Sequence, residues 1–123
     1  MTGSASLGGP PPARWIDTHC HLDLGDDHPA DPAAGDADAV EAATERWARV
    51  DEALADARAH DVGRFVTVAT DHASSRTSLE VAARHDDVWA TVGLHPHDAK
   101  LGVDGLEDLL GGPRVVAVGE CGL

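Results

Sequence analysis

The sequence contains few aromatic and few basic residues, and each shortage argues against one way of binding a partner. Its aromatic residues are Trp15, Trp47, Trp89 and Phe65, without a tyrosine, which is too few for a stacking platform that binds single strands. Nine basic residues against 22 acidic ones give a formal charge of −13, which argues against a broad electrostatic contact with nucleic acid or anionic lipid. A phosphate substrate held through a bound cation agrees with this charge, because the ion reverses the local field.

Cysteines, leader peptides and long apolar runs are scarce or missing as well. Cys20 and Cys121 are the two cysteines; they form no Cys-x-x-Cys motif, and we interpret them as reduced thiols. No basic start followed by an apolar core is seen at the N-terminus, and no apolar run approaches the ~18 residues of a membrane span. The sequence therefore predicts a cytoplasmic protein without membrane association, and it indicates no protein partner.

Short β-branched segments alternate with helical patterns along most of the chain. Residues 1–14 are rich in Gly, Ser and Pro and are predicted to be a disordered lead-in to one domain over residues 15–123. An acidic surface loop is predicted from Gly25 to Asp38. The alternation indicates an α/β fold with a parallel sheet. Strands are predicted at 15–22, 64–70, 87–94 and 114–119, with helices at about 38–60, 71–85 and 100–110.

Local signals define the ends and faces of these elements. Asp38 with Glu41 resembles a capping box at the start of the first helix, and Gly63 is predicted to follow its end. Asp71 is predicted to cap the second helix. The run Val115–Val118 is typical of a strand that is covered on both faces. Apolar residues at steps of three and four predict the buried face of the first helix: Val40, Ala43, Trp47, Val50, Leu54 and Ala57. For the short third helix, Val103, Leu106 and Leu109 are predicted to point inward.

The first strand carries His19 and His21, which flank Cys20. Side chains alternate across a strand, so both imidazoles share one face while Cys20 points to the other. Asp17 and Asp23 have the same parity as the histidines. Two converging imidazoles with nearby carboxylates form a partial metal site, although for this segment alone two histidines on a polar strand face are the favoured interpretation.

Residues that bind metals also end two later strands. His95 and His97 follow the third strand, Glu120 ends the fourth, and working residues of parallel α/β folds gather at carboxyl ends of strands. Imidazole and carboxylate suit zinc, manganese and magnesium, and a carboxylate such as Glu120 can bridge two ions that promote phosphodiester cleavage. The remaining histidines are interpreted as ordinary surface or helix-end residues: His28, His60, His72 and His85.

Three segments together resemble the TatD family of metal-dependent hydrolases: Asp17–Asp23, Thr91–Asp98 and Val118–Leu123, in the family's order and spacing. The resemblance implies a TIM barrel of the amidohydrolase type and metal-dependent deoxyribonuclease activity on DNA. It implies two divalent ions, with magnesium as the first choice and manganese or zinc as alternatives. By position, His19 and His21 match metal ligands, and Glu120 matches a catalytic, metal-ligating glutamate. His95 matches a catalytic histidine near the substrate phosphate, and His97 is assigned to substrate binding with it.

The length of the chain limits what this resemblance implies. A TIM barrel takes eight strands and ~250 residues, whereas four strands are predicted here. We therefore expect this chain to be the N-terminal fragment of a longer enzyme, truncated at its C-terminus. It would form the first half of the barrel, about four βα units. Half a barrel exposes a pairing edge and an interior face, and we expect it to hydrolyse DNA at no more than background. Two alternatives stay open: a phosphoesterase of the polymerase-and-histidinol-phosphatase type, and an inactive metal-binding fragment.

Overall fold

The computed structural model describes residues 13–22 and 36–122. Almost all of the predicted lead-in and of the acidic loop, with Asp23 and His28, lies outside these residues, so the interpretations made for them stay predictions. The described chain forms four strands, three α-helices and a 3₁₀ helix: β1 Trp15–Cys20, α1 Asp36–Ala59, β2 Val62–Thr67, α2 His72–Arg84, β3 Val88–Leu94, the 3₁₀ helix Pro96–Leu101, α3 Leu106–Leu110 and β4 Val115–Cys121.

The four strands form one parallel sheet in the order β1-β2-β3-β4. Each strand pairs with the strand that follows it along the chain, because a helical connection returns the chain to the same end of the sheet. The predicted α/β class is confirmed, and the curled sheet is the first half of a TIM barrel. In the described residues, no helix is long and apolar enough to cross a membrane.

The core lies between one face of the sheet and the two long helices. Leu54 of α1 and Val81 of α2 are fully buried against Val88 of β3. Trp47 and Ala57 pack at the margin of this cluster, as the helical spacing predicts. The prediction is wrong for Val40, which is 66% exposed. It lies in the first turns of α1, beyond the part of that helix that packs on the core.

The other face of the sheet is not covered by the described residues. Ile16, Val116 and Val118 are 55–59% exposed, and a shallow depression of about 220 Å³ lies among Ile16, Val116 and their neighbours on β2 and β3. The prediction that Val115–Val118 is covered on both faces is therefore wrong for this chain. The expected exposure of a barrel interior face is confirmed.

The ends of α1 differ from the prediction. The helix includes Asp36, so Asp38 lies within the helix and not before its first residue. Its C-terminal end is followed by Asp61, which takes the left-handed conformation with φ of 71°; aspartate tolerates this region better than most residues. Gly63 instead lies within β2, where a Cβ would collide with Ala13. The capping of α2 by Asp71 is confirmed, since its carboxylate accepts the Ser74 amide at 2.7 Å.

The segment between β3 and β4 is broken where a single helix was predicted. A 3₁₀ helix ends at Leu101, and α3 starts at Leu106. Gly102 and Gly105 separate them with φ of 71° and 83°, values that favour glycine. Leu106 is buried as predicted, but Val103 lies in the connection and is exposed.

Candidate metal centre

Residues from β1 and β4 meet at the carboxyl end of the sheet. Nε2 of His19 and Nε2 of His21 each lie 3.2 Å from Oε1 of Glu120. One ligand atom from each of the three side chains lies within 4.8 Å of the other two. The structure therefore brings together three residues that are 101 positions apart at their extremes, as the strand-end rule predicts.

A backbone group determines which nitrogen of His21 carries the proton. Its Nδ1 lies 2.8 Å from the carbonyl oxygen of Val68, just beyond β2. A carbonyl oxygen accepts and never donates, so Nδ1 donates and the neutral ring keeps its lone pair on Nε2. That lone pair faces Glu120 Oε1, which is also an acceptor. Two acceptors at 3.2 Å need a proton or a cation between them.

His19 completes the cluster from the solvent side. Its side chain is 60% exposed, against 30% for Glu120, and its ring meets that of His21 edge to face, with centroids 5.2 Å apart. Asp17, which has the same parity, does not extend the cluster in this structure. Its carboxylate accepts the backbone N–H of His19 at 3.0 Å and thereby fixes the local chain.

His95 approaches the same carboxylate with the opposite proton arrangement. Its Nδ1 accepts the backbone N–H of His97 at 3.1 Å, and a backbone N–H only donates. The neutral His95 ring therefore carries its proton on Nε2, which lies 3.7 Å from Glu120 Oε2. This geometry presents a donor to the site, although the distance exceeds a hydrogen bond.

The His97 side chain lies at the edge of the centre. It is exposed, and its ring contacts the His95 ring with centroids 4.6 Å apart. His97 therefore contacts His95 through both its ring and its backbone. Its role in substrate binding stays a prediction.

The other described histidines lie away from the cluster. His60 contacts Asp56 in the last turn of α1, and His72 contacts the backbone carbonyl of Asp104. His85 caps the end of α2. These positions agree with the interpretation of all three as ordinary surface or helix-end residues.

A two-hydrogen-bond ion pair lies at the start of β3, at the opposite end of that strand from the centre. Arg58 of α1 binds Asp87 through two hydrogen bonds of 2.7 Å. These bonds hold the pKa of the Asp87 carboxyl below its usual range, and burial opposes them in part. The same contact raises the pKa of Arg58. The pair joins α1 to the start of β3 and has no part in the chemistry of the cluster.

Some of the groups that shape the centre escaped the sequence analysis. The Val68 carbonyl is a backbone atom, and no side-chain pattern marks it. Thr91 and Gly93 lie in the segment 91–98 that was singled out for its histidines, yet neither was assigned a role. Both lie against the chain beside Glu120. Their position inside that segment was the available signal.

Comparison with known proteins places these features in a family. The family model described as TatD related DNase matches residues 16–123. The chain is 40% identical over 77 residues to the 3′-5′ ssDNA/RNA exonuclease TatD of Cronobacter sakazakii, which covers 59% of this chain and 29% of that protein. It is 38% identical over 112 residues to the uncharacterized metal-dependent hydrolase TatD of Mycobacterium tuberculosis, covering 88% of this chain and 36% of that protein.

The chain thus spans about a third of the length of these curated relatives. The matched range contains His19, His21, His95 and Glu120. A match of this extent favours the resemblance over the phosphoesterase alternative. The chain belongs to the family of TatD related DNases.

Proposed function

We propose that this chain supplies the metal-binding end of a phosphodiesterase that removes nucleotides from DNA. The observation that carries the proposal is the contact of His19 and His21 with one oxygen of Glu120. The Cronobacter relative is named as an exonuclease of single-stranded DNA and RNA. Because the chain spans about a third of such relatives, we assign the hydrolysis to a protein of their length that contains it.

The donor set fits a divalent cation. His21 offers an Nε2 lone pair, and Glu120 offers a carboxylate oxygen 3.2 Å away. These two acceptors face each other without a proton between them, and a cation there would make a favourable contact with each. Magnesium is the first choice, with manganese or zinc as alternatives. Three donors suffice to begin one site, and a second ion would take further donors from outside the described residues.

The residues around this set have separate roles in the proposed reaction. When bound, a divalent ion supplies Lewis-acid polarisation and neutralises charge on the phosphoryl group. His19, His21 and Glu120 would hold it. The Nε2–H of His95 would donate to a phosphate oxygen, and a donor that is already oriented stabilises charge as it develops there. His97 orients His95 through its backbone N–H and would contact the substrate together with it.

Metal binding by the chain tests the first part of this proposal. Mn²⁺ is titrated into the chain and into Glu120→Ala, with free ion followed by electron paramagnetic resonance. Since the net charge of −13 attracts cations elsewhere, the matched control is Glu107→Ala, which removes the same charge from an exposed position on α3. We expect one site to disappear in Glu120→Ala and to persist in Glu107→Ala.

Nuclease assays test the second part. A protein of the relatives' length is expected to release nucleotides from end-labelled single-stranded DNA with Mg²⁺, and the 123-residue chain is expected to stay at background. If the longer protein binds metal but cleaves no DNA, the assignment of substrate is wrong. If it cleaves a phosphomonoester instead, a phosphatase replaces the nuclease.

A further inference from the structure

The backbone of Glu120 is held by a peptide from a strand that is not its neighbour. The amide of Glu120 on β4 donates to the carbonyl of Ala69 at 3.1 Å, although β3 lies between β2 and β4. Ala69 follows β2 and is fully buried. The chain leaving β2 must therefore pass across the end of β3 to reach Glu120.

Gly93 leaves the space for this crossing. A Cβ at Gly93 would lie 2.8 Å from the Ala69 carbonyl oxygen and 2.9 Å from the backbone nitrogen and oxygen of Glu120. These neighbours are backbone atoms, which cannot rotate away as a flexible side chain would. Any side chain at Gly93 would therefore push Ala69 and Glu120 apart.

Thr91 binds the backbone N–H of Ala69. Its Oγ1 accepts the Ala69 N–H at 3.0 Å, and the residue is 3% exposed. With the Glu120 amide on the carbonyl, both backbone polar groups of the buried residue Ala69 are bound. A buried N–H without a partner is unfavourable, so loss of the hydroxyl would lead the chain at Ala69 to move.

We propose that Thr91 and Gly93 are positioning residues that place the Glu120 carboxylate at the metal centre through the backbone of Ala69. This role rests on the proposed function, since it matters for catalysis only if Glu120 ligates an ion. Within the described residues, neither forms a hydrogen bond with His19 or His21. A functional site needs its groups held within about 0.5 Å, so a small displacement of the Glu120 backbone weakens binding without removing a ligand.

Thr91→Val tests this role, because it keeps the shape of the side chain and removes the acceptor. We expect its Kd for Mn²⁺ to rise by about 10-fold or more, the range seen when a partner behind a ligand is lost. Thr91→Ser is the matched control, because it keeps the hydroxyl, and we expect its Kd to stay within about twofold of wild type. Thermal melts of all three proteins report global stability separately.

Amide hydrogen exchange without metal gives a readout of position that does not depend on binding. We expect faster exchange at the Ala69 and Glu120 amides in Thr91→Val, and protection in Thr91→Ser. A folded Thr91→Val with unchanged Kd and unchanged exchange would overturn the role, as would a Thr91→Ser variant that behaves like Thr91→Val. A wild-type chain that binds no Mn²⁺ would overturn the metal centre itself, whatever the Thr91 variants do.

Gly93→Ala tests the crossing directly. Gly111→Ala is the control, because Gly111 has φ of −79° and the nearest atom to its added Cβ is 4.0 Å away. We expect Gly93→Ala to lose more affinity for Mn²⁺ than Thr91→Val, and Gly111→Ala to match wild type. Wild-type affinity in Gly93→Ala would overturn the crossing as the device that positions Glu120.

Discussion

The ends of β1 and β3 carry the same His-x-His spacing but opposite proton patterns. His21 donates from Nδ1 to the Val68 carbonyl, whereas His95 accepts at Nδ1 from the His97 amide. The first arrangement leaves a lone pair on Nε2, and the second leaves a proton there. Both Nε2 atoms approach Glu120, one on each carboxylate oxygen.

This difference shows how one carboxylate can serve two tasks. Glu120 Oε1 faces a ring that can bind a cation, and Oε2 faces a ring that can donate to an anion. The backbone partner of each Nδ1, and not the spacing of the histidines, separates the two tasks. A metal and a phosphate could then be held side by side, which is what a metal-dependent phosphodiesterase needs.

The largest effect is expected from removing a lone-pair histidine. His21→Ala should lower the affinity for Mn²⁺ by at least about 100-fold. Removing a metal ligand should weaken binding more than removing a hydrogen-bond partner of a ligand, which lowers the affinity by about 10–100-fold. His95→Ala should stay within about twofold, since its Nε2 carries a proton. Isothermal titration of both variants checks this comparison. Equal losses would erase the distinction between the two pairs.

An effect of similar size is expected on turnover when the proton-bearing histidine is changed. In a protein of the relatives' length, His95→Ala should lower kcat by about 10²–10³-fold, as removal of one oriented donor does. His95→Gln, which keeps an N–H donor, should recover part of this loss. Single-turnover cleavage of labelled DNA, with Mn²⁺ affinity measured alongside, separates the two effects. A parallel fall in metal affinity would count His95 among the ligands.

The proton patterns themselves can be observed without any turnover. At a pH where both rings are neutral, nitrogen-15 NMR of the metal-free chain should show His21 with its proton on Nδ1 and His95 with its proton on Nε2. Addition of diamagnetic Zn²⁺ should shift the His21 Nε2 resonance and leave that of His95 nearly unchanged. The reverse assignment at either ring would break the comparison at its source.

Much of this centre could be predicted from the sequence because its rule is topological. Parallel strands with helical connections put all their carboxyl ends on one edge of the sheet. That rule places His19, His21 and Glu120 on one edge of the sheet, and the curl of the sheet brings its outer strands β1 and β4 together there. The residue types then limit the chemistry to divalent cations. The fold class followed in the same way, from the alternation of β-branched and helical segments.

The proton patterns could not be predicted, because backbone atoms determine them. No side chain marks the Val68 carbonyl or the His97 amide as a histidine partner. The predictions of the ends of α1 were wrong for a related reason. The left-handed residue after α1 is Asp61, whereas Gly63, which was predicted to end the helix, lies in β2 beside Ala13. Contacts between distant segments overrode the local signals there.

The smallest effect is expected at the ion pair that lies away from both histidine pairs. The hydrogen bonds from Arg58 lower the pKa of Asp87 in the folded chain, so the folded carboxyl holds its proton less tightly than the unfolded one. The stability that the pair supplies is therefore present above the unfolded pKa of about 3.9. It is lost as pH falls through the lower folded value.

Asp87→Asn should thus lower the free energy of unfolding near pH 7 by about 1 kcal/mol or less, because the pair is partly exposed to solvent. The difference from wild type should shrink toward zero in acid, in urea titrations repeated at several pH values. Mn²⁺ affinity near pH 7 should not change, since neither Arg58 nor Asp87 contacts Glu120. A loss of metal affinity in Asp87→Asn would mean that the start of β3 is coupled to its carboxyl end. The proton patterns of the two histidine pairs would then depend on more than their own backbone partners.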